Sequence, residues 1–300
     1  MKRLILIDGN SLLHRAFHAI PPLTGPQGEQ VNAVYGFASM LTNIFKILSP
    51  DYVAVTFDTA KKTFRHEAFQ EYKATRKKAP QELYDQIPLI KELVEAFTIP
   101  IFECDGYEAD DVLGTLVDKA KKHQDLETVV VTGDLDTLQL VSSCVSVATP
   151  YKGFQEIVLY DPQKVQERLG VSPSQVIDFK ALKGDISDNI PGVPGIGEKT
   201  AVLLLKKYSS LHNIYEHINE IEESTRKKLN DGEKSAYLSQ KLCAICLDIP
   251  LTFDLELCRI SLEKLHKAYS FFERFRFLSL LKRLDALRKN IPSIQQSTLF

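Results

Sequence analysis

Four carboxylates crowd into the seven residues DGYEADD, where Asp105, Glu108, Asp110 and Asp111 stand just ahead of an apolar helical pattern. Acids recur in the same kind of place elsewhere. Asp8 follows LILI (4–7), Asp58 follows YVAVTF (52–57), Glu108, Asp110 and Asp111 follow IPIFE (99–103), and Asp134 and Asp136 follow TVVVT (128–132) in TGDLD. Two more, Asp185 and Asp188, lie in KGDISDN. One aspartate in such a position is ordinarily a helix N-cap or a turn former. Seven acids behind four strand ends are a stronger signal, because burying them together without counter-charge would cost several kcal/mol per ion. An oxygen-only donor set lacking histidine and cysteine suits magnesium or manganese better than zinc.

The elements that must position these acids read as α/β. The four runs are short, continuously apolar and β-branched, as strands of a parallel sheet are when helices cover both faces. Helical patterns fall over about 10–19, 32–48, 83–97 and 110–122, the last with Asp110 on the stripe of Leu113 and Val117. Ligands bind beyond the C-terminal ends of parallel strands, so acids distant in sequence are expected to converge there. From about 173 helices dominate. The expected organisation is an α/β core over 1–172, a helical region over 173–290 and a polar tail over 291–300.

Composition excludes several classes. The chain has 300 residues, is 44% hydrophobic and carries a formal charge of −2. The apolar start MKRLILID ends at Asp8, too soon for a signal peptide, and no run reaches membrane-spanning length. Five cysteines at 104, 144, 243, 246 and 258 form no zinc or disulfide pattern, which reads as a reduced cytosolic protein. Cys243 and Cys246 suit a buried structural role better than a redox pair.

Two further segments point to a polyanion. In IPGVPGIGEKTA, Gly192, Gly195 and Gly197 form a hairpin opening onto a helix near Glu198, with Lys199, Thr200 and Lys206 close by. Exposed backbone N–H groups beside a helix N-terminus suit a phosphate oxygen. The bland alternative is a structural turn between helices. Over 61–78, helical spacing would bring Lys62, Arg65, Phe69, Lys73 and Arg76 onto one stripe, away from Glu67 and Glu71. A solvated surface helix is the alternative there. Setting the nine candidate ligands aside from the total of −2 leaves +7 on the remainder, a basic body around an acidic pocket.

Taken in order, DGNSLLHRAFHA, FDTAKKTFRHEAFQEYKATR, DGYEADDVLGTL, TGDLDTLQLV and GDISDNIPGVPGIGEKTA resemble the 5′ nuclease domain of bacterial DNA polymerase I, of the flap endonuclease family, over residues 1 to about 285. The resemblance implies a PIN-like, resolvase-like core with a helical arch at about 61–80 and a helix-three-turn-helix. It implies a structure-specific 5′-flap endonuclease and 5′-3′ exonuclease using two Mg2+ (or Mn2+) ions in Okazaki-fragment processing and repair, in the cytoplasm at the bacterial nucleoid. By motif, Asp8, Asp58, Glu108 and Asp110 resemble the first metal group, and Asp111, Asp134, Asp136 and Asp185 the second, with Asp188 adjacent. Lys73 and Arg76 resemble the catalytic basic pair, Tyr72 a stacking neighbour and Arg15 a strand contact, while the hairpin resembles a duplex grip that can hold K+. Leu135 and the stretch RKKAPQEL depart from the family pattern. A DNA polymerase domain in cis or in trans is an implied partner. The ending IPSIQQSTLF resembles a sliding-clamp peptide through Gln296, Leu299 and Phe300, against the plainer reading of a flexible tail. Two rivals stand beside this reading: a non-catalytic binder of branched DNA, and a phosphotransferase with Asp8 as nucleophile.

Overall fold

A computed structural model describes residues 1–151, 156–260 and 265–290. In chain order the elements are β1 (Lys2–Asp8), α1 (Gly9–Ala19), α2 (Asn32–Leu48), β2 (Tyr52–Thr56), α3 (Phe64–Ala68), α4 (Gln81–Tyr84), α5 (Ile87–Ala96), β3 (Ile101–Phe102), α6 (Ala109–Ala120) and β4 (Leu126–Val131). They continue with β5 (Val145–Tyr151), β6 (Glu156–Tyr160), α7 (Pro162–Leu169), α8 (Val176–Lys183), α9 (Glu198–Tyr208), α10 (Leu211–Glu216), α11 (Glu223–Cys243), α12 (His266–Arg274) and α13 (Leu278–Asn290).

The strands form one sheet in the order β3-β2-β1-β4-β5-β6, parallel except for the antiparallel β6. Alternation along the strands explains their unbroken apolar runs. Ile5, Ile7, Val53, Val55, Val129 and Val131 enter one core with α1, α2 and α5, while Leu4, Leu6, Tyr52, Ala54 and Val130 enter the other with α6. The chain leaves β1 towards β2 and β3 and later returns to β4 on the other side. Between β1 and β4 lies the point where strand order reverses, and there the C-terminal ends leave a crevice.

α8, α9, α10 and α11 surround a third core built from Phe179, Leu182, Leu205, Leu211, Ile214 and Leu229. The expected helical region of 173–290 is corrected in its last part. Phe271, Phe272 and Phe275 of α12 and its exit, with Leu280 and Leu284 of α13, pack into the core of the sheet's first face beside α2 and α5. That aromatic stripe buries its rings against the α/β core.

Sequence reading also missed β5 and β6. Ser146 and Thr149 interrupt the apolar run of β5, and β6 exposes most of its residues. The arch departs most from expectation. Only five residues of it, in α3, are helical, and Tyr72 to Arg76 form turns in which Lys73 takes φ 55°. No continuous helix carries 61–78, so Lys62, Arg65, Phe69, Lys73 and Arg76 do not share a stripe. No described helix is long and apolar enough to cross a membrane. Gln296, Leu299 and Phe300 lie outside the described residues.

Candidate active site

The site starts from Asp8, which closes β1 and caps α1. Its carboxylate accepts the Ser11 N–H at 2.9 Å and the Thr132 hydroxyl at 2.7 Å, tying the ends of β1 and β4 together. One strand over, Asp58 follows β2. Asn10 holds it reciprocally: its amide donates to Asp58 Oδ2 at 2.8 Å and its carbonyl accepts the Asp58 N–H at 3.1 Å. The other oxygen of Asp58 accepts the Ala109 N–H at 2.7 Å, which fixes the first turn of α6. Beyond β4, Asp134 caps a 3-10 turn over Leu135–Leu140 by accepting the Asp136 N–H.

These ends open on one cleft of about 420 Å³, lined by Asp8, Asp58, Glu108, Asp110 and Asp134, with Asn10, His14, Arg15, Lys73 and Arg76 around it. Burial and the neighbouring Asp58 and Asp134 push the Asp8 carboxyl up to about 6. Burial and then the Asp134 charge push Asp110 well above the usual range. Asp58 is raised as well, chiefly by burial. Such crowding is the electrostatic mark of a site prepared for a cation. Among the described residues, though, no three of these side chains already close on a single point as a finished cage.

The protein's own cations take up part of the acid. Lys73 donates to Glu108 at 2.8 Å, and Arg76 pairs with Asp188. The Lys180 ammonium donates to Asp185 at 2.6 Å and to Asp136. Burial opposes ionisation of Asp185, but Lys180 outweighs it and holds that carboxyl down at about 2. Burial and the neighbouring Asp134 charge push the Asp136 carboxyl up to about 7.

Three expectations need correction. Asp111 is fully buried: it binds the Arg65 guanidinium through two 2.7 Å hydrogen bonds and accepts the Cys246 N–H, so no oxygen faces the cleft. Helical spacing does not reveal this partner. Arg65 is therefore no DNA contact. It also donates to the carbonyls of Leu242 and Ala244, locking the start of the arch to the end of α11. Tyr72 is buried too, its hydroxyl donating to Glu108 at 3.0 Å and Asp188 at 3.2 Å, which leaves no ring face for stacking.

Of the remaining candidates, Lys62 is exposed outside the cleft, and Arg15 lines it while donating to the Pro150 carbonyl. Gly192 and Gly195 take φ of 64° and 81°, and Gly197 caps α9. Lys199 and Lys206 are exposed on α9 with Thr200 half-buried. Cys243 is buried and its thiol is pushed up to about 12 by burial, and all five cysteines are free. Sequence reasoning missed Asn10, Thr132, His14 and Lys180. Asn10 had a signal in its place two residues after Asp8; the others had none.

Residues 3–170 match the family model for a 5′-3′ exonuclease, N-terminal resolvase-like domain, and residues 171–266 match that for a 5′-3′ exonuclease, C-terminal SAM fold. DNA polymerase I of Bacillus caldotenax is 44% identical over 286 residues, covering 95% of this chain and 32% of that protein. The chain thus spans about a third of the length of the curated relatives it matches. A flap endonuclease of bacteriophage T5, solved in a pseudo-enzyme–product complex with DNA and metal ions, superposes with a TM-score of 0.68 at 21% identity, over 96% of this chain and all of that one. The catalytic core of Rad2 with a DNA substrate superposes at 0.58 and 16% identity, over 95% and 91%. These two likenesses are of fold.

Proposed function

The chain belongs to the 5′-3′ exonuclease family, and from that premise we propose that it is a structure-specific 5′ nuclease, acting as flap endonuclease and 5′-3′ exonuclease on branched or nicked DNA. The observation that carries the reading is the convergence of Asp8, Asp58, Glu108, Asp110 and Asp134 on one cleft flanked by Lys73 and Arg76.

The donors fit hard divalent ions, two Mg2+ or Mn2+, because they are all oxygen and their raised carboxyls want positive charge. Asp8, Asp58, Glu108 and Asp110 would hold one, and Asp134, Asp136 and Asp185 the other, with Asp188 adjacent. Bound there, such ions acidify a water and neutralise charge on the phosphodiester and its leaving 3′ oxygen.

The side chains of the protein itself supply position. Thr132 and Asn10 hold Asp8 and Asp58 at the wall of the cleft. Lys73 and Arg76 stand at its edge on a turn fixed by the Lys73 N–H to the Asp188 carbonyl, 2.9 Å, where they meet the scissile phosphate and share its developing charge. Arg15 meets a neighbouring phosphate. The hairpin at 192–197 offers the Gly197 end of α9 and Lys199 to the duplex backbone, which fixes register without reading bases. The potassium ion expected there fits less well. The carbonyls of Gly192 and Gly195 already accept from Ser235 and Lys228.

In this reading the chain works in Okazaki-fragment processing and repair in the bacterial cytoplasm, at the nucleoid. Its partners are a polymerase domain in cis or in trans and a sliding clamp meeting Gln296, Leu299 and Phe300. A labelled 5′-flap duplex incubated with magnesium or with EDTA tests the activity. Magnesium-dependent cuts at the flap junction are expected; tight binding with no cut in either condition would leave only a branched-DNA binder.

A further inference from the structure

Lys180 is a buried cation that the mechanism above does not use. It projects from α8 five residues ahead of Asp185, and its side chain is only 11% exposed. Its ammonium donates to Asp185 at 2.6 Å and also to Asp136, which comes from the separate 3-10 turn behind β4. One lysine thus bridges two of the three carboxylates that the proposed function gives to the second ion.

A permanent structural tie would be the plain explanation, yet α8 is anchored without it. Phe179, Ala181 and Leu182 are buried in the helical core. Gln175, at the start of α8, donates to the carbonyls of Leu205 and Ser209. The turn after α8 closes on itself through paired backbone hydrogen bonds between Asp185 and Ile190, 2.9 and 2.8 Å. Lysine also differs from arginine in a way that matters here: it is a single charge on a flexible four-carbon stem that can leave without breaking a planar fork.

We propose that Lys180 is a resident counter-cation of the second ion site, holding Asp136 and Asp185 together until a divalent ion displaces its ammonium. This rests on the reading of those two acids as ligands. The lysine keeps the pair preorganised and separates the affinities of the two sites, since the second ion must expel a charge that bridges two of its ligands, whereas Lys73 sits on only one ligand of the first, Glu108. Lys73 on Glu108 does not offer the same bridge, because it reaches acids that Tyr72 and Arg65 also hold.

The test is calorimetric titration of manganese chloride into the metal-free full chain, comparing wild type with Lys180→Met and Lys180→Arg. Wild type is expected to show a strong and a weak step, and Lys180→Arg a second step weaker still, because the planar fork is harder to expel. In Lys180→Met the weak step should tighten roughly tenfold, the scale of one lost charge-assisted hydrogen bond, while the strong step barely moves. An unchanged or weakened second step in Lys180→Met would overturn the proposal. Should that variant fail to fold, magnesium titration of wild type followed by the lysine ammonium resonances decides. The Lys180 signal must shift with the second step, and a signal constant to saturation refutes displacement. Absence of any divalent binding by wild type would instead remove the ligand reading itself, and this inference with it.

Discussion

The Arg65 guanidinium and the Asp111 carboxylate meet through two hydrogen bonds of 2.7 Å with side-chain exposures of 3% and 0%. Their union ties the root of the arch to the first turn of α6, directly beneath Glu108. Removing one member of a buried pair leaves the other uncompensated, at a cost of about 3–5 kcal/mol. Arg65→Met should therefore lower the unfolding free energy of the metal-free chain by that order, measured by urea unfolding. A loss below about 1 kcal/mol, the size of an exposed pair, would deny the pair its anchoring role.

Asp134→Asn keeps the cap of the 3-10 turn in shape while removing a cleft charge. Cleavage should fall on the order of a hundredfold or more while flap binding, followed by fluorescence anisotropy in calcium, stays measurable. Full activity in the variant would take Asp134 out of the ion site.

Lys73→Ala separates chemistry from grip. Single-turnover cleavage at saturating enzyme should slow more than duplex affinity weakens, because Lys73 reaches the cleft and not the hairpin. Equal losses in both would make Lys73 a simple phosphate tether.

The hairpin invites a paired glycine test. At Gly192 a Cβ would lie 2.2 Å from the Gly184 nitrogen, and φ is 64°, whereas at Gly197 φ is −96° and a Cβ would meet nothing within 4 Å. Gly192→Ala should cost about 1–3 kcal/mol and weaken duplex binding, while Gly197→Ala should fold normally. Equal stability of the two variants, measured by urea unfolding, would contradict the hairpin geometry.

The raised acids set a pH dependence. Asp8 at about 6 and Asp136 at about 7 bind protons in the folded chain where the unfolded chain, at about 4, does not. Their contribution to metal-free stability is therefore greatest below about pH 4 and is lost as pH rises to about 7. Thermal melts in EDTA across that window should show wild type losing stability, relative to an Asp8→Asn, Asp136→Asn double variant, as pH rises. A constant difference between the two would mean that neither carboxyl is shifted.

Part of the site is legible in the sequence. Asp8, Asp58 and Asp134 follow apolar β-branched runs directly, so the strand that such a run must form also delivers the acid to the rim. Asp111 was opaque because its fate depends on Arg65, 46 residues away, and helical spacing carries no information about so distant a partner. The arch failed for a related reason. Its 3.6-residue pattern is real on paper, but burial of Arg65 and Tyr72 and the left-handed turn at Lys73 outweigh local helix propensity. Lys180 lies in a helix with no distinguishing pattern, and only the fold brings Asp136 to it. The hairpin was readable because positive φ at Gly192 and Gly195 is what glycine permits most readily.

The shared basin is tested most directly by anomalous diffraction from crystals soaked in manganese. Two peaks are expected, one in the cleft bounded by Asp8 and Asp110 and one at its Asp134 side, between Asp134, Asp136 and Asp185. Manganese found only on surface acids such as Asp105, with the cleft empty at saturating concentration, would contradict the ion site and the nuclease chemistry built on it.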